Sequence, residues 1–285
     1  MANTRTIRRR IRGVQNTAKI TKAMELIASS KMRKAQERGL AGRPYSDKIK
    51  QVIADLAALP QAEEDMHPLL RRRQLKKITI IHITPDRGLS GGLDANLNRK
   101  TASFVLQQPV PVSLVLVGKR GIEYMRRYER EIRAEFSKLG DKPGLIDILA
   151  IPRIIIEDYT NGLIDSAFIS YARFINTMRQ VPVIQQILPV VPDESLKGKH
   201  SDYIFEPSPR AVLDKLLPRF VESEIYHAIL ESIASEQSAR MVAMRNATES
   251  ANDLLESLTL AYYKARQESI TSELLDIVGG AAAIT

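Results

Sequence analysis

Apolar positions in the first sixty residues recur at helical spacing. Ile7, Ile11, Val14, Ala18 and Thr21 step alternately by four and three residues, the seam of a coiled coil. Met24, Ala28, Met32 and Ala35 carry the seam onward, and Ile49, Val52, Ile53 and Leu56 resume it before Pro60. The pattern predicts a helix over residues 3–59. Gly39, Gly42 and Pro44 should kink or break it, since proline lacks an N–H and crowds the preceding turn. The other end of the chain carries a longer pattern. Positions 219 to 278 contain no glycine or proline, and continuous helix over them would run on the order of 90 Å. Its seam passes through Val221, Ile225, Ala228, Ser232, Ser235 and Ala239, steps by fours through Ala243, Ala247 and Ala251, and continues at Leu254, Leu258, Ala261 and Ala265. Four-residue steps locally unwind a left-handed supercoil, and small side chains permit close approach. The stripe Ser235, Ala239, Ala243, Ala247 and Ala251 is therefore expected to pack on the N-terminal helix, running antiparallel against Ile7, Ile11, Val14 and Ala18. Pro209 suits a first helical turn. Pro218 should bend the helix, and Gly279-Gly280 should stop it.

The middle of the chain has a different period. Short β-branched runs at 78–84, 112–117, 132–136, 167–174 and 183–190 read as strands, and 93–107, a stretch after Gly121 to about Arg127, and 145–159 read as helices. Strands alternating with helices predict a Rossmann-like α/β domain with a mostly parallel sheet. The expected fold is α/β, this domain joined to a long antiparallel coiled coil of the terminal helices. The expected division is a coiled-coil helix at 1–59, a mobile polar linker at 60–74, the α/β domain at 75–206, and a coiled-coil helix with its tail at 207–285.

Charge and aromatic placement sharpen this picture. Residues 1–50 hold fourteen Lys and Arg against three Asp and Glu, so the formal charge of +9 belongs to the first helix. Twelve of the fifteen aromatics lie between Phe104 and Tyr226, where a layered core needs them. The two ends are thin by this measure, helix on helix. There is no cysteine, so neither disulfides nor thiol chemistry is available. No apolar run approaches the ~20 residues of a membrane span. The Arg-rich start has the composition of a transit peptide, but the helical seam runs straight through it.

Little in the sequence points to catalysis. Gly88-Leu-Ser-Gly91-Gly92 follows a strand and precedes a helix, yet fits neither phosphate-loop spacing. Gly118-Lys-Arg-Gly121 reads as a turn. His67, His82, His200 and His227 are far apart and form no ligand pair on a helix. No catalytic residue, metal ligand or cofactor is expected. Two alternatives stand beside that reading: a basic coiled-coil protein that binds nucleic acid, and a nucleotide-using α/β enzyme. The first lacks aromatics for base stacking over its basic helix.

Four stretches carry a resemblance. ITKAMELIASSKMRKAQ (20–36), PDRGLSGGLDANLNR (85–99), ASEQSARMVAMRNAT (234–248) and LTLAYYKARQESITSELLDIVGGAAA (258–283) resemble the gamma subunit of F-type rotary ATP synthases, bacterial type. The resemblance implies a non-catalytic rotor shaft that carries torque between a membrane c-ring and a ring of three alpha and three beta subunits. It implies further contact with an epsilon subunit and a peripheral place on the cytoplasmic face of the cell membrane. By the same resemblance Arg266 and Gln267, with Thr271 one turn on, match positions that contact an acidic loop of a beta subunit, and Met24 matches a position near its lever. Tyr203 and Glu206 match a loop that contacts the c-ring. The redox-sensing cysteine pair of plastid members has no counterpart here.

Overall fold

The structure is a computed structural model and describes residues 4–57, 67–128, 130–192 and 205–282. Helix α1 spans Thr4–Ala57 and helix α6 spans Pro209–Ala282. Between them lie β1 (Ile78–Ile83), α2 (Leu93–Gln107), β2 (Val112–Val117), α3 (Lys119–Met125), β3 (Glu131–Phe136), α4 (Leu145–Ile148), α5 (Ala150–Thr160), β4 (Ser166–Asn176) and β5 (Arg179–Leu188). The chain divides into two compact units whose boundary cuts through both long helices rather than at their junction with the sheet. One comprises residues 29–239, the other 1–28 with 240–285.

The larger unit is built on a five-stranded sheet of order β3-β2-β1-β4-β5. The first four strands are mutually parallel and β5 closes one edge antiparallel to β4. Every residue of β1 and β2 is buried. Central parallel strands are covered on both faces, which is why these two read as nearly continuous runs of valine, isoleucine and leucine. Ile78, Ile80, Leu114 and Leu116 face Ala102, Val105, Ile122 and Met125 from α2 and α3. Ile81, Ile83, Val115 and Val117 face the opposite layer, built from Ile151, Ile155 and Tyr159 of α5, Ile49, Ile53 and Leu56 of α1, and Leu213, Leu217, Val221 and Ile225 of α6. Fully burying an aliphatic side chain of this size stabilises by about 1.5–3 kcal/mol.

That packing explains three departures from the sequence pattern. Helix α1 runs unbroken through Gly39, Gly42 and Pro44. Its last turns are anchored on the sheet layer, and Pro44 sits on an exposed side where water can take the carbonyl it leaves unbonded. Gly42 is a close approach: a Cβ there would lie 2.7 Å from His227 Cε1. Helix α6 likewise carries Pro218 in its interior between the buried Leu217 and Val221, and it continues through Gly279-Gly280 to Ala282. Residues 67–74, within the expected linker, pack and hydrogen-bond onto the sheet unit. Leu69 is buried, its carbonyl accepts from Val190 N, and a 3-10 turn spans Pro68–Leu70. Arg73 donates to the Tyr159 carbonyl at 2.7 Å, and Tyr159 Oη donates to the Arg71 carbonyl at 2.7 Å. The rest of the expected linker lies outside the described residues.

Candidate partner-contact surface

In doubly wound sheets, ligands bind beyond the carboxyl ends of the strands where the strand order reverses. Here that point lies between β1 and β4, and α6 packs into it. Ser235 Oγ donates to the Ala172 carbonyl at 2.8 Å and Ser238 Oγ to the Thr177 carbonyl at 2.9 Å. Ala239 packs against Leu93, Leu97 and Ala172. Two residues of the small-residue stripe thus face the sheet unit, a destination that spacing on one helix could not reveal. Beside them a cleft of about 350 Å³ is bounded by Asp86, Lys119, Lys138 and Glu236. Asp86 occupies the backbone donors there, accepting from Lys119 N at 3.1 Å and from Lys138 N at 2.9 Å. Backbone N–H groups of the kind that cradle phosphate are committed to the chain's own carboxylate.

Behind β1, His82 is fully buried. Its Nε2 lies 2.7 Å from Asn98 Oδ1 and its Nδ1 lies 3.1 Å from Thr101 Oγ1, which in turn lies 2.6 Å from Ser170 Oγ. An Nε2–H tautomer satisfies both contacts. Burial pushes the imidazole down to about 4, with the Asn98 contact opposing. This is a satisfied core histidine joining β1 to α2 and β4. Among the described residues no group of three or more His, Asp and Glu is placed to hold a metal ion.

The smaller unit pairs the start of α1 with the distal part of α6. Thr21 Oγ1 lies 2.7 Å from Thr248 Oγ1, and Arg245 Nε donates to Glu25 Oε1 at 3.1 Å, so the helices run antiparallel. Lys22 Nζ meets Glu25 Oε2 at 3.0 Å. The inner face of α1 is Ile7, Ile11, Val14, Ala18, Thr21, Glu25 and Ala28, an unbroken alternation of fours and threes. Glu25, not the expected Met24, takes the seam position. Its carboxyl is held below the usual range, mainly by the Lys22 hydrogen bond with Arg245 adding to it, against the opposing effect of burial. On α6, Met241, Met244 and Ala251 are buried, while Ala243 and Ala247 are half-buried. Beyond Ala251 the expected seam residues Leu254 and Ala261 are exposed, and Leu255 and Tyr262 are the half-buried ones, with Leu258 and Ala265 as expected. The mixed spacing resumes one residue later than small-residue counting places it.

The remaining expected contact residues are displayed rather than used internally. Met24 is half-buried beside the seam. Arg266, Gln267 and Thr271 are exposed, with Thr271 Oγ1 donating to the Gln267 carbonyl at 2.9 Å. Leu274, Leu275, Ile277 and Val278 are exposed on the same stretch. Glu206 is exposed, and Tyr203 lies outside the described residues. Sequence reasoning passed over Glu25 and Arg245; the available signal was that position 25 continues the seven-residue repeat from 18.

A long helix pair that shows its best contact residues outward, with its sheet crevice filled by its own helix, has known relatives. The model of the ATP synthase family matches residues 3–284. ATP synthase gamma chains from strains of Dehalococcoides mccartyi are 63% identical over the full length of both chains. That of Haemophilus influenzae is 45% identical, also at full coverage. The chain belongs to the ATP synthase gamma chain family. Its fold matches solved central-stalk chains. One in the Euglena gracilis mitochondrial ATP synthase gives a TM-score of 0.68 at 20% identity, covering 99% of this chain and 94% of that one. One in the Tetrahymena thermophila central stalk and c-ring gives 0.62 at 24% identity, covering 80% and 99%.

Proposed function

We propose that this chain is the central rotor shaft of a proton-translocating ATP synthase, itself non-catalytic, passing torque between a membrane c-ring and the catalytic alpha–beta ring. Full-length membership of the gamma chain family supports this reading. The observation that carries it is the antiparallel helix pair held by Thr21–Thr248 and Glu25–Arg245. Paired helices resist twisting better than one, and α6, free of glycine and proline from 219 to 278, transmits load over that span without a weak turn. Three alpha and three beta subunits surround the pair, and an epsilon subunit and the c-ring meet the sheet unit. Tyr203 and Glu206 serve the c-ring side. Arg266, Gln267 and Thr271 serve the alpha–beta side through hydrogen bonds to charged groups worth ~1.5–3 kcal/mol each, strong enough for a dwell and weak enough to release, and Met24 serves it by apolar contact. The complex holds the chain peripherally at the cytoplasmic face of the bacterial membrane. Among the described residues no helix is long and apolar enough to cross it.

Reconstitution tests this. The purified chain should complete a complex with alpha and beta subunits, and a bead on its sheet unit should turn as ATP is hydrolysed. Duplex binding at physiological salt, without affinity for the alpha–beta ring, would instead favour a nucleic-acid role for the basic helix.

A further inference from the structure

On α1, two stripes compete for the interior of the helix pair. Thr21, Glu25 and Ala28 are buried, whereas Ile20 is 59% and Ile27 55% exposed, with Met24 between them half-exposed. At about 100° per residue, Ile20, Met24 and Ile27 form one stripe. The buried three form another, a single residue's rotation away. Within residues 20–28 taken alone, hydrophobic burial favours the first stripe inward, since isoleucine and methionine are commonly buried and glutamate almost never unless paired, while Ile7, Ile11 and Val14 earlier on the seam favour the observed setting. The observed setting is held by polar contacts. Both Glu25 oxygens are used, one by Arg245 and one by Lys22, and Thr21 meets Thr248 one turn away. Met244 and Ala251 are buried on α6 on either side of Thr248.

We propose that Glu25 is a positioning residue that sets the rotation of α1 locally, over residues 20–28, holding the Ile20–Met24–Ile27 stripe outward for an apolar surface of the alpha–beta ring. The use of that stripe rests on the shaft reading above; the rotational setting does not. A rotation that hides the isoleucines turns Glu25 toward solvent and gives up its contact with Arg245 and the Thr21–Thr248 contact. Over residues 20–28 the polar contacts thereby hold the face that local burial would reject, the kind of specificity a single polar seam residue supplies in coiled coils.

The chain has no cysteine, so single introduced cysteines report each face without background. In the isolated full-length chain, I27C should react quickly with a maleimide and T21C slowly, and T21C with T248C should close a disulfide. Adding Glu25→Ala should speed T21C by roughly tenfold, the change in the minor setting's population expected from losing one charge-assisted hydrogen bond, and should slow I27C by less, since its exposed setting is the major one. The disulfide yield should fall with it. Glu25→Gln, which keeps the shape and one acceptor, should lie between. Circular dichroism should show the helix retained throughout. Unchanged labelling at both positions would overturn the proposal, because the rest of α1 would then set the rotation. Faster labelling at both would also overturn it, because Glu25 would then merely hold the pair closed. A chain that passes this test yet fails to join alpha and beta subunits would sink the shaft reading and leave the positioning role standing.

Discussion

Ser235 on α6 donates to the carbonyl of Ala172 on β4 at 2.8 Å, and the register partner of Ala172 on β5 is Pro182, which has no N–H to give. The hydroxyl supplies a donor where the neighbouring strand cannot. Ser235 is fully buried, so Ser235→Ala leaves that carbonyl dry and unpaired at this position. The expected cost is ~1–3 kcal/mol of stability, measured as a lower urea midpoint with an unchanged slope. A midpoint equal to wild type would mean that water or β5 already serves Ala172.

His82 makes stability depend on pH in a defined window. Its folded value is pushed down to about 4, against an ordinary value of 6.5. Between those two values the unfolded chain holds a proton on this residue that the folded chain does not. Acidification through the window therefore favours unfolding. From pH 7 to pH 5 wild type should lose roughly 2 kcal/mol more than His82→Gln, compared by urea unfolding of both chains at both pH values. Parallel losses in the two chains would show that His82 does not titrate on unfolding.

Gly118 ends β2 where nothing larger fits. Its φ is +92°, and a Cβ there would sit 1.9 Å from the Thr84 carbonyl oxygen. Gly121, three residues on, would set a Cβ 2.7 Å from Thr84 Oγ1. Gly118→Ala combines a left-handed backbone with a clash against rigid main chain, and should cost roughly 3 kcal/mol or more. Gly13→Ala is the control, since a Cβ there meets nothing within 4 Å and alanine favours helix by up to about 1 kcal/mol. Melting temperatures of the two variants should move in opposite directions.

The fold was legible wherever one period dominated. All five strands and the α2 helix stand where β-branched runs and helical spacing place them. The breakers misled because local preference lost to packing: Pro44 and Pro218 sit in helices whose neighbours Ile49, Leu217 and Val221 are buried. The inner face of the helix pair was legible only in part. Hydrophobicity chose Met24 over Glu25, because a seam position satisfied by a charge on the other helix looks like a surface position in one strand of sequence, and counting on from Ala251 chose Leu254 over the identical Leu255. Asp86 was invisible for a related reason, since its partners Lys119 N and Lys138 N are backbone groups brought in by two later loops.

Arg266 and Gln267 separate stability from coupling. Both are exposed, as are the residues that follow them to Gly279. Replacing both with alanine should therefore leave the isolated chain's stability within about 0.5 kcal/mol. On the shaft reading proposed above, the same change removes a charged donor and an amide from the surface offered to the alpha–beta ring. Each lost charge-assisted contact is worth ~1.5–3 kcal/mol, so torque or the ratio of ions moved to ATP hydrolysed should fall while assembly persists. Exposed charge contacts are screened by salt, so the wild-type complex should lose part of the same coupling as ionic strength rises, and the double variant should respond less. Rotation and coupling that match wild type at low salt would remove these two residues from the contact surface and leave it to Met24 and the apolar residues Leu274, Leu275, Ile277 and Val278.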